Sequence, residues 1–326
     1  MNLIITGAAG FIGKKLTKAL LERSYLVGSD GRKNEIESLT LLDITEPEDL
    51  PEDERIRVHT GDISDPSFPR EFIGPEADGV FHLAAVVSAD AEENFDLGMR
   101  VNVDGTRNVL EACRQQETNP RLVFTSSIAV FGGELPSVIE DSYYLSPQNS
   151  YGIQKAIGEL LVQDYTRKGF VEGRTLRLPT VVIRPGKPNR AASTFASSII
   201  RDTLQGDSAV CPVETDARMY IASPRRIVEG LVHGFELSPE VVGTTTSFML
   251  PGISVTVGDM MESLEKFGGR EAVDRIEWKP NERIKNIVLG WPGDFNPQRA
   301  IKLGFKADES MDAIVQAFLE DDIVKE

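Results

Sequence analysis

The feature that most constrains this chain is Thr6-Gly7-Ala8-Ala9-Gly10-Phe11-Ile12-Gly13, set between an apolar run, Leu3-Ile4-Ile5, and an amphipathic run over residues 11–21. That order reads as strand, tight turn, helix. In the G-x-x-G-x-x-G spacing each glycine has its own role. One permits the turn, one lets a pyrophosphate approach bare backbone, and one lets helix and strand pack closely. The unpaired N–H groups and positive dipole end of the helix suit an anion, so a dinucleotide is the expected ligand. Gly7, Gly10, Phe11, Ile12 and Gly13 are then its first contacts.

Downstream, residues 24–35 are irregular and read as an inserted polar, exposed loop, and residues 36–43 form a strand ending in Asp43. A carboxylate at the end of the second strand can accept hydrogen bonds from the adenosine ribose. Two acids compete for this role. Asp30 lies nearer the usual spacing of about 20 residues. Asp43, followed by Ile44 and the turn Thr45-Glu46-Pro47, ends the more convincing strand and is preferred. Either acid repels a ribose 2′-phosphate, which favours NAD over NADP. A third strand, residues 55–59, is closed by Asp62 and Ile63, with Asp62 placed to meet the adenine amine.

Residues 79–85 are apolar throughout, as a strand buried on both faces should be. Leu83, Ala84 and Ala85 at its end are small or apolar enough for the backbone to approach the cofactor, and His82 within it reads as a packing histidine. Residues 95–115 carry apolar side chains at helical spacing and read as one long crossover helix containing Asn102. Residues 121–127 form another buried strand, ending in Ser126 and Ser127. Parallel strands joined by helices imply an α/β fold, a Rossmann-type doubly wound parallel sheet with ligands at the carboxyl ends of its strands. The expected division is a dinucleotide-binding domain over 1–182 and a smaller substrate-binding region over 183–326, parts of which, about 218–250, return to the first body.

Tyr151 and Lys155 stand four residues apart on an evident helix after Pro147 and so share a face. A phenol has a pKa near 10, so proton abstraction at neutral pH requires a shift of about three units, or about 4 kcal/mol. A lysine ammonium about 4 Å away supplies roughly that at an effective dielectric near 20. Tyr151 can then serve as general base in oxidising an alcohol, Ser127 can hold the same oxygen, and Lys155 can also hold the nicotinamide ribose.

Composition narrows the partners. A net charge of -16 over 326 residues repels nucleic acid and anionic membranes, so neither is expected to bind. Two cysteines, Cys113 and Cys211, sit in apolar settings without a Cys/His cluster, which predicts reduced, buried thiols and no metal. The first residues form a strand rather than a basic leader, and no apolar run approaches membrane length, so a cytoplasmic protein is expected.

The motifs together resemble the extended branch of the short-chain dehydrogenase/reductase family: TGAAGFIG at 6–13, GDISD at 61–65, HLAA at 82–85, VNVDGTRNVLEAC at 101–113, FTSSIAVFGG at 124–133, YGIQK at 151–155 and RLPTVVIRPG at 177–186. The resemblance implies Ser127, Tyr151 and Lys155 as the catalytic set. It implies Leu83, Ala84 and Asn102 along the cofactor cleft, and Pro179, Thr180 and Val181 at the nicotinamide carboxamide. It also implies a homodimer formed through helices matching 94–113 and 151–168.

More specific stretches, VVSADAEENFDLG at 86–98 and RPGKPNRAASTFAS at 184–197 among them, resemble a member that oxidises the 2-hydroxyl of a four-carbon sugar acid to the 2-oxo acid with NAD. A carboxylate must then be seated. Lys187, Arg190 and Arg218 are the basic candidates, and Ser88 and Asn189 are hydroxyl partners by position. Arg218 opens a segment, residues 218–224, that lacks the Asp and His usual in nucleotide-sugar enzymes of this branch. The rival expectations are a nucleotide-sugar epimerase or dehydratase on the same fold, and a non-catalytic NAD-binding sensor.

Overall fold

Short runs of Leu, Ile, Val and Phe assemble into a seven-stranded sheet: β1 Asn2–Thr6, β2 Ser38–Asp43, β3 Ile56–Thr60, β4 Ala77–His82, β5 Arg121–Ser127, β6 Glu172–Leu178 and β7 Ser247–Met249. Leu3, Ile5, Leu39, Leu41, Val80, Phe81, Leu122 and Val123 are fully buried, so both faces of the sheet are covered. The order is β7-β6-β5-β4-β1-β2-β3, and the pairs β1 with β2, β2 with β3, β1 with β4 and β4 with β5 run parallel. The order reverses between β1 and β4. This is the doubly wound sheet expected, with its switch point at the carboxyl ends of those two strands.

The structure is a computed structural model and describes residues 1–116, 118–186 and 193–323. The chain forms two compact units: residues 1–127, 149–177 and 228–248, and residues 128–148, 178–227 and 249–326. The first unit holds the sheet with helices α1 Phe11–Arg23, α2 Thr106–Arg114, α3 Ser150–Arg167 and most of α4 Pro224–Glu236. Phe235 of α4 stacks on Phe81 at 5.2 Å between ring centroids. One core cluster of this unit gathers Ile4, Val80, Val109, Leu110, Leu122, Phe124 and Val162 beneath α2 and α3.

The second unit is built on a three-stranded sheet in which Arg218–Ala222 lies between Thr180–Val181 and Ile253–Thr256. Its core joins Val182, Phe195, Ile199, Met219, Ile221, Val255, Leu264 and Ile314, drawn from those strands and from helices Thr194–Leu204, Val257–Asp274 and Met311–Asp321. Ser223 is held by the buried Asp308, whose carboxylate accepts from its N–H at 2.8 Å and its hydroxyl at 2.7 Å.

Two local expectations change, and two further breaks in the chain have plain causes. Residues 24–35 are not a loop: Tyr25–Val27 and Lys33–Glu35 pair as an antiparallel hairpin, and Leu26 is fully buried. The long helix over 95–115 is helical but uneven, with Phe95–Gly98, a wider π-helical turn Met99–Gly105, and then α2. At that turn the Thr106 hydroxyl donates to the Asn102 carbonyl at 2.7 Å, while the Thr106 N–H goes to Val103. The apolar run after Gly173 is divided, because Pro179 has no N–H to give a ladder; Thr180–Val181 therefore pairs with Arg218–Ala222 instead. Near the end of the chain Phe295–Asn296 pairs with Ile139–Glu140, and the helix Gln298–Lys302 follows directly.

Candidate active site

The glycine loop is shaped by contact with its neighbour. Gly7 has φ +72°, and a Cβ there would stand 2.6 Å from the Ala84 nitrogen and 2.8 Å from the Leu83 carbonyl carbon, all backbone atoms. A Cβ on Gly13 would meet the Gly7 oxygen at 2.4 Å, so the third glycine lets α1 settle onto the loop. Gly10 is the N-cap of α1, and no side chain caps that helix. Bare backbone and an uncapped helix start, opposite the Leu83-Ala84 turn, form a cradle suited to a pyrophosphate.

Asp43 closes β2 beside the cradle. One carboxylate oxygen accepts from the Ala9 N–H at 2.9 Å and the other from the Ile44 N–H at 2.7 Å and the Thr45 N–H at 3.3 Å. Ile44 next to it is 71% exposed. Asp30, its rival, lines a hollow with Met1, Ala77, Arg121 and Glu172, at the amino ends of the strands and away from the glycine loop. Asp62 accepts from both the N–H and the hydroxyl of Ser64, while Ile63 is buried under Gly105.

Asn102 is buried in the π-helical turn and acts as a clip. Its carbonyl oxygen accepts from the Val86 N–H at 2.8 Å, and its amide donates to the Val86 carbonyl at 3.0 Å and to Gln154 Oε1 at 2.7 Å. The stretch after β4, with Leu83, Ala84 and Ala85, is thereby fixed from the far side. His82 is buried between two hydroxyls, Thr6 at 2.7 Å from Nδ1 and Thr106 at 2.9 Å from Nε2. Because Thr106 spends its proton on the Asn102 carbonyl, it accepts from Nε2–H, and Nδ1 accepts from Thr6. Burial, aided by the Lys155 charge, lowers the His82 pKa to about 3, so the ring is a neutral packing group.

Tyr151 and Lys155 project from α3 toward the end of β5. The Lys155 ammonium donates to the Thr125 carbonyl at 2.8 Å and lies 4.8 Å from the Phe124 ring centroid and 5.7 Å from that of Tyr151. Burial lowers its pKa to about 7, with the Glu159 carboxylate acting in the opposite direction. Ser126 and Ser127 end β5, and Ser126 donates to Glu159 at 2.5 Å. The first unit therefore brings the glycine loop, Asp43, Asn102, Ser127, Tyr151 and Lys155 to the carboxyl edge of one sheet. That edge can orient an alcohol and accept its proton beside a bound dinucleotide.

Ser88 opens a short helix, Ser88–Glu93, of the first unit. Pro179, Thr180, Val181 and Arg218 belong to the second unit; Thr180 and Val181 are buried, and Arg218 is exposed, donating to the Ser254 hydroxyl at 3.3 Å. Lys187, Asn189 and Arg190 fall outside the described residues. Sequence reasoning passes over Glu159 and Arg177, an ion pair of a buried carboxylate and a half-buried guanidinium, although Glu159 lies one helical turn from Lys155 and that spacing is plain in the sequence. Cys113 and Cys211 are free and buried, and among the described residues no cluster of His, Cys, Asp or Glu could hold a metal.

Known proteins are similar to this chain along its whole length. The chain is 51% identical over 321 residues to D-erythronate dehydrogenase of Cupriavidus necator, covering 98% of each protein. It is 42% identical over 323 residues to D-erythronate dehydrogenase of Haemophilus influenzae, covering 99% of this chain and all of that one. A crystal structure named the nucleoside-diphosphate-sugar epimerase from Agrobacterium tumefaciens superposes with a TM-score of 0.91 at 44% identity, covering 98% of this chain and 94% of that one. L-Threonine 3-dehydrogenase from Trypanosoma brucei follows at 0.83 and 26% identity, covering 98% and 96%. With a family model matching residues 3–221 and relatives 42–51% identical along the full chain, the chain belongs to the NAD-dependent epimerase/dehydratase family.

Proposed function

We infer that this protein is a dehydrogenase that oxidises the 2-hydroxyl of D-erythronate to the 2-oxo acid with NAD. The observation that carries the substrate is identity of 51% along the whole chain with a protein of that name. The chemistry rests on the residues at the carboxyl edge of β5 and the start of α3. Tyr151 takes the hydroxyl proton of the substrate, Ser127 hydrogen-bonds the same oxygen, and Lys155 holds positive charge beside the phenol and reaches the nicotinamide ribose. Bound in the glycine cradle, NAD supplies the hydride acceptor. Gly7, Gly10, Phe11, Ile12 and Gly13 hold its pyrophosphate, and Asp43 with Ile44 and Asp62 with Ile63 hold the adenosine end. Leu83, Ala84, Ala85, Asn102, Ser126, Pro179, Thr180 and Val181 complete its site.

Arg218, with Ser88 and Asn189, seats the sugar acid, its guanidinium pairing with the carboxylate. The enzyme acts in the cytoplasm as a homodimer, a state supported by apolar side chains that α3 leaves uncovered: Ile153 is 46% and Leu160 59% exposed. The identity of 44% with the Agrobacterium protein named an epimerase supports a second reading, in which the hydride returns to a nucleotide sugar.

One assay separates the two. Purified protein with NAD is expected to form NADH selectively with D-erythronate among four-carbon sugar acids, simple 2-hydroxy acids, L-threonine and nucleotide sugars. Tyr151→Phe should cut turnover by about 10²- to 10⁴-fold while NAD binding, followed by calorimetry, persists. Interconversion of a nucleotide sugar without net NADH would replace the dehydrogenase reading with the epimerase one.

A further inference from the structure

Lys155 is 2% exposed, yet its neighbours at hydrogen-bond or ring distance, the Thr125 carbonyl and the Phe124 and Tyr151 rings, carry no formal negative charge. A buried ammonium without a counter-charge gives up its proton. The nearest candidate anion on the same helix is Glu159, one turn further along α3 and 2% exposed. Its carboxylate is held on several sides. Oε1 accepts from Ser126 Oγ at 2.5 Å and Arg177 Nε at 3.0 Å, and Oε2 accepts from Arg177 Nη2 at 2.7 Å and Ser247 Oγ at 3.3 Å. Ser126 directly follows Thr125, the residue that receives the lysine, so one strand end anchors both members of the pair.

We propose that Glu159 is a positioning residue for the reaction: its fixed carboxylate is the buried counter-charge that favours the ammonium form of Lys155 beside Tyr151. The inference rests on the reading of Tyr151 and Lys155 as the catalytic pair. The groups facing Lys155 are Tyr151 and Glu159 on its own helix, His82 on β4, and, through the carboxylate, Arg177 on β6. His82 is neutral. Without the Glu159 charge, the buried ammonium loses the carboxylate one turn away, and the lysine relieves the cost of burial by losing its proton. The electrostatic balance agrees, since burial pushes Lys155 down and Glu159 pulls it back up.

Two substitutions with opposite predicted signs test this. Glu159→Gln keeps the shape of the side chain and removes its charge, so Lys155 should titrate about one pH unit lower or more. Arg177→Gln keeps the carboxylate and removes the competing cation, so Lys155 should titrate higher. Side-chain NMR of lysine-labelled full-length protein reads both midpoints directly, without turnover. The alkaline limb of the pH–rate profile for NADH formation should move with them, down for Glu159→Gln and up for Arg177→Gln.

A purely structural tie between α3 and its neighbouring strands would lower the melting temperature of both variants while leaving the Lys155 midpoint in place. Unmoved midpoints, or midpoints that move in the same direction, overturn the proposal. If Glu159→Gln does not fold, the rise or constancy of the midpoint in Arg177→Gln decides it. Midpoints that move as expected in a protein that oxidises no acid would leave this inference standing and remove the proposed function.

Discussion

His82 shows how one residue ties stability to pH. Its pKa is about 3 in the fold against about 6.5 in an unfolded chain. Between those values the unfolded chain binds a proton that the folded protein refuses, so stability falls as pH falls through that window. The loss from this group alone should reach about 3 kcal/mol by pH 4. Urea unfolding from pH 7 to pH 4 should show that slope, and His82→Gln, which still bonds Thr6 and Thr106, should flatten it. Lys155 slopes the same way higher up: with a folded pKa of about 7 against about 10.4 unfolded, it adds stability as pH rises between them. The histidine is recognisable from its apolar strand as a packing group. That two threonines from distant segments hold its tautomer is not, because nothing in their sequence spacing brings Thr6, His82 and Thr106 together.

Among the elements, the loop between β1 and α1 is the most legible and the most sensitive to change. Gly7→Ala places a methyl group within 2.6 Å of the Ala84 nitrogen at a φ of +72°, and backbone cannot swing aside as a side chain can. The cost should be about 1–3 kcal/mol, read as a lower melting temperature, with NAD affinity in calorimetry reduced by at least about tenfold. Gly13→Ala should behave similarly, since its Cβ meets the Gly7 oxygen at 2.4 Å. The hairpin over residues 25–35 escapes a sequence reading for a local reason. Its strands are three residues each, too short for an alternating pattern to register, and Leu26 is buried only because other parts of the first unit cover it. The capping box that starts helix Val257–Asp274, Thr256 with Asp259, and the Asn281 cap of helix Glu282–Leu289 are present in the sequence as S/T-x-x-D/E and Asn signals, although the second helix is not evident from periodicity.

For the whole molecule, the exposed apolar side chains bear on the homodimer proposed above. Ile153 and Leu160 lie a heptad apart on α3, and Phe95, on the short helix Phe95–Gly98, is 59% exposed. A homodimer through these faces predicts a mass near twice 35.9 kDa by sedimentation, falling to the monomer in Leu160→Glu with the fold retained. The succession of strands along the chain, the glycine cradle and the Tyr151–Lys155 face were determined by the sequence itself, because buried parallel strands, tight turns and helix faces are written in residues only a few positions apart. The placing of Asp43 beside the glycine loop and of Asp30 at the amino ends of the strands, the clip of Asn102 on Val86 and the Glu159–Arg177 pair were decided by tertiary structure. Each depends on which strands become neighbours, and that follows from burying the whole sheet at once rather than from any local pattern.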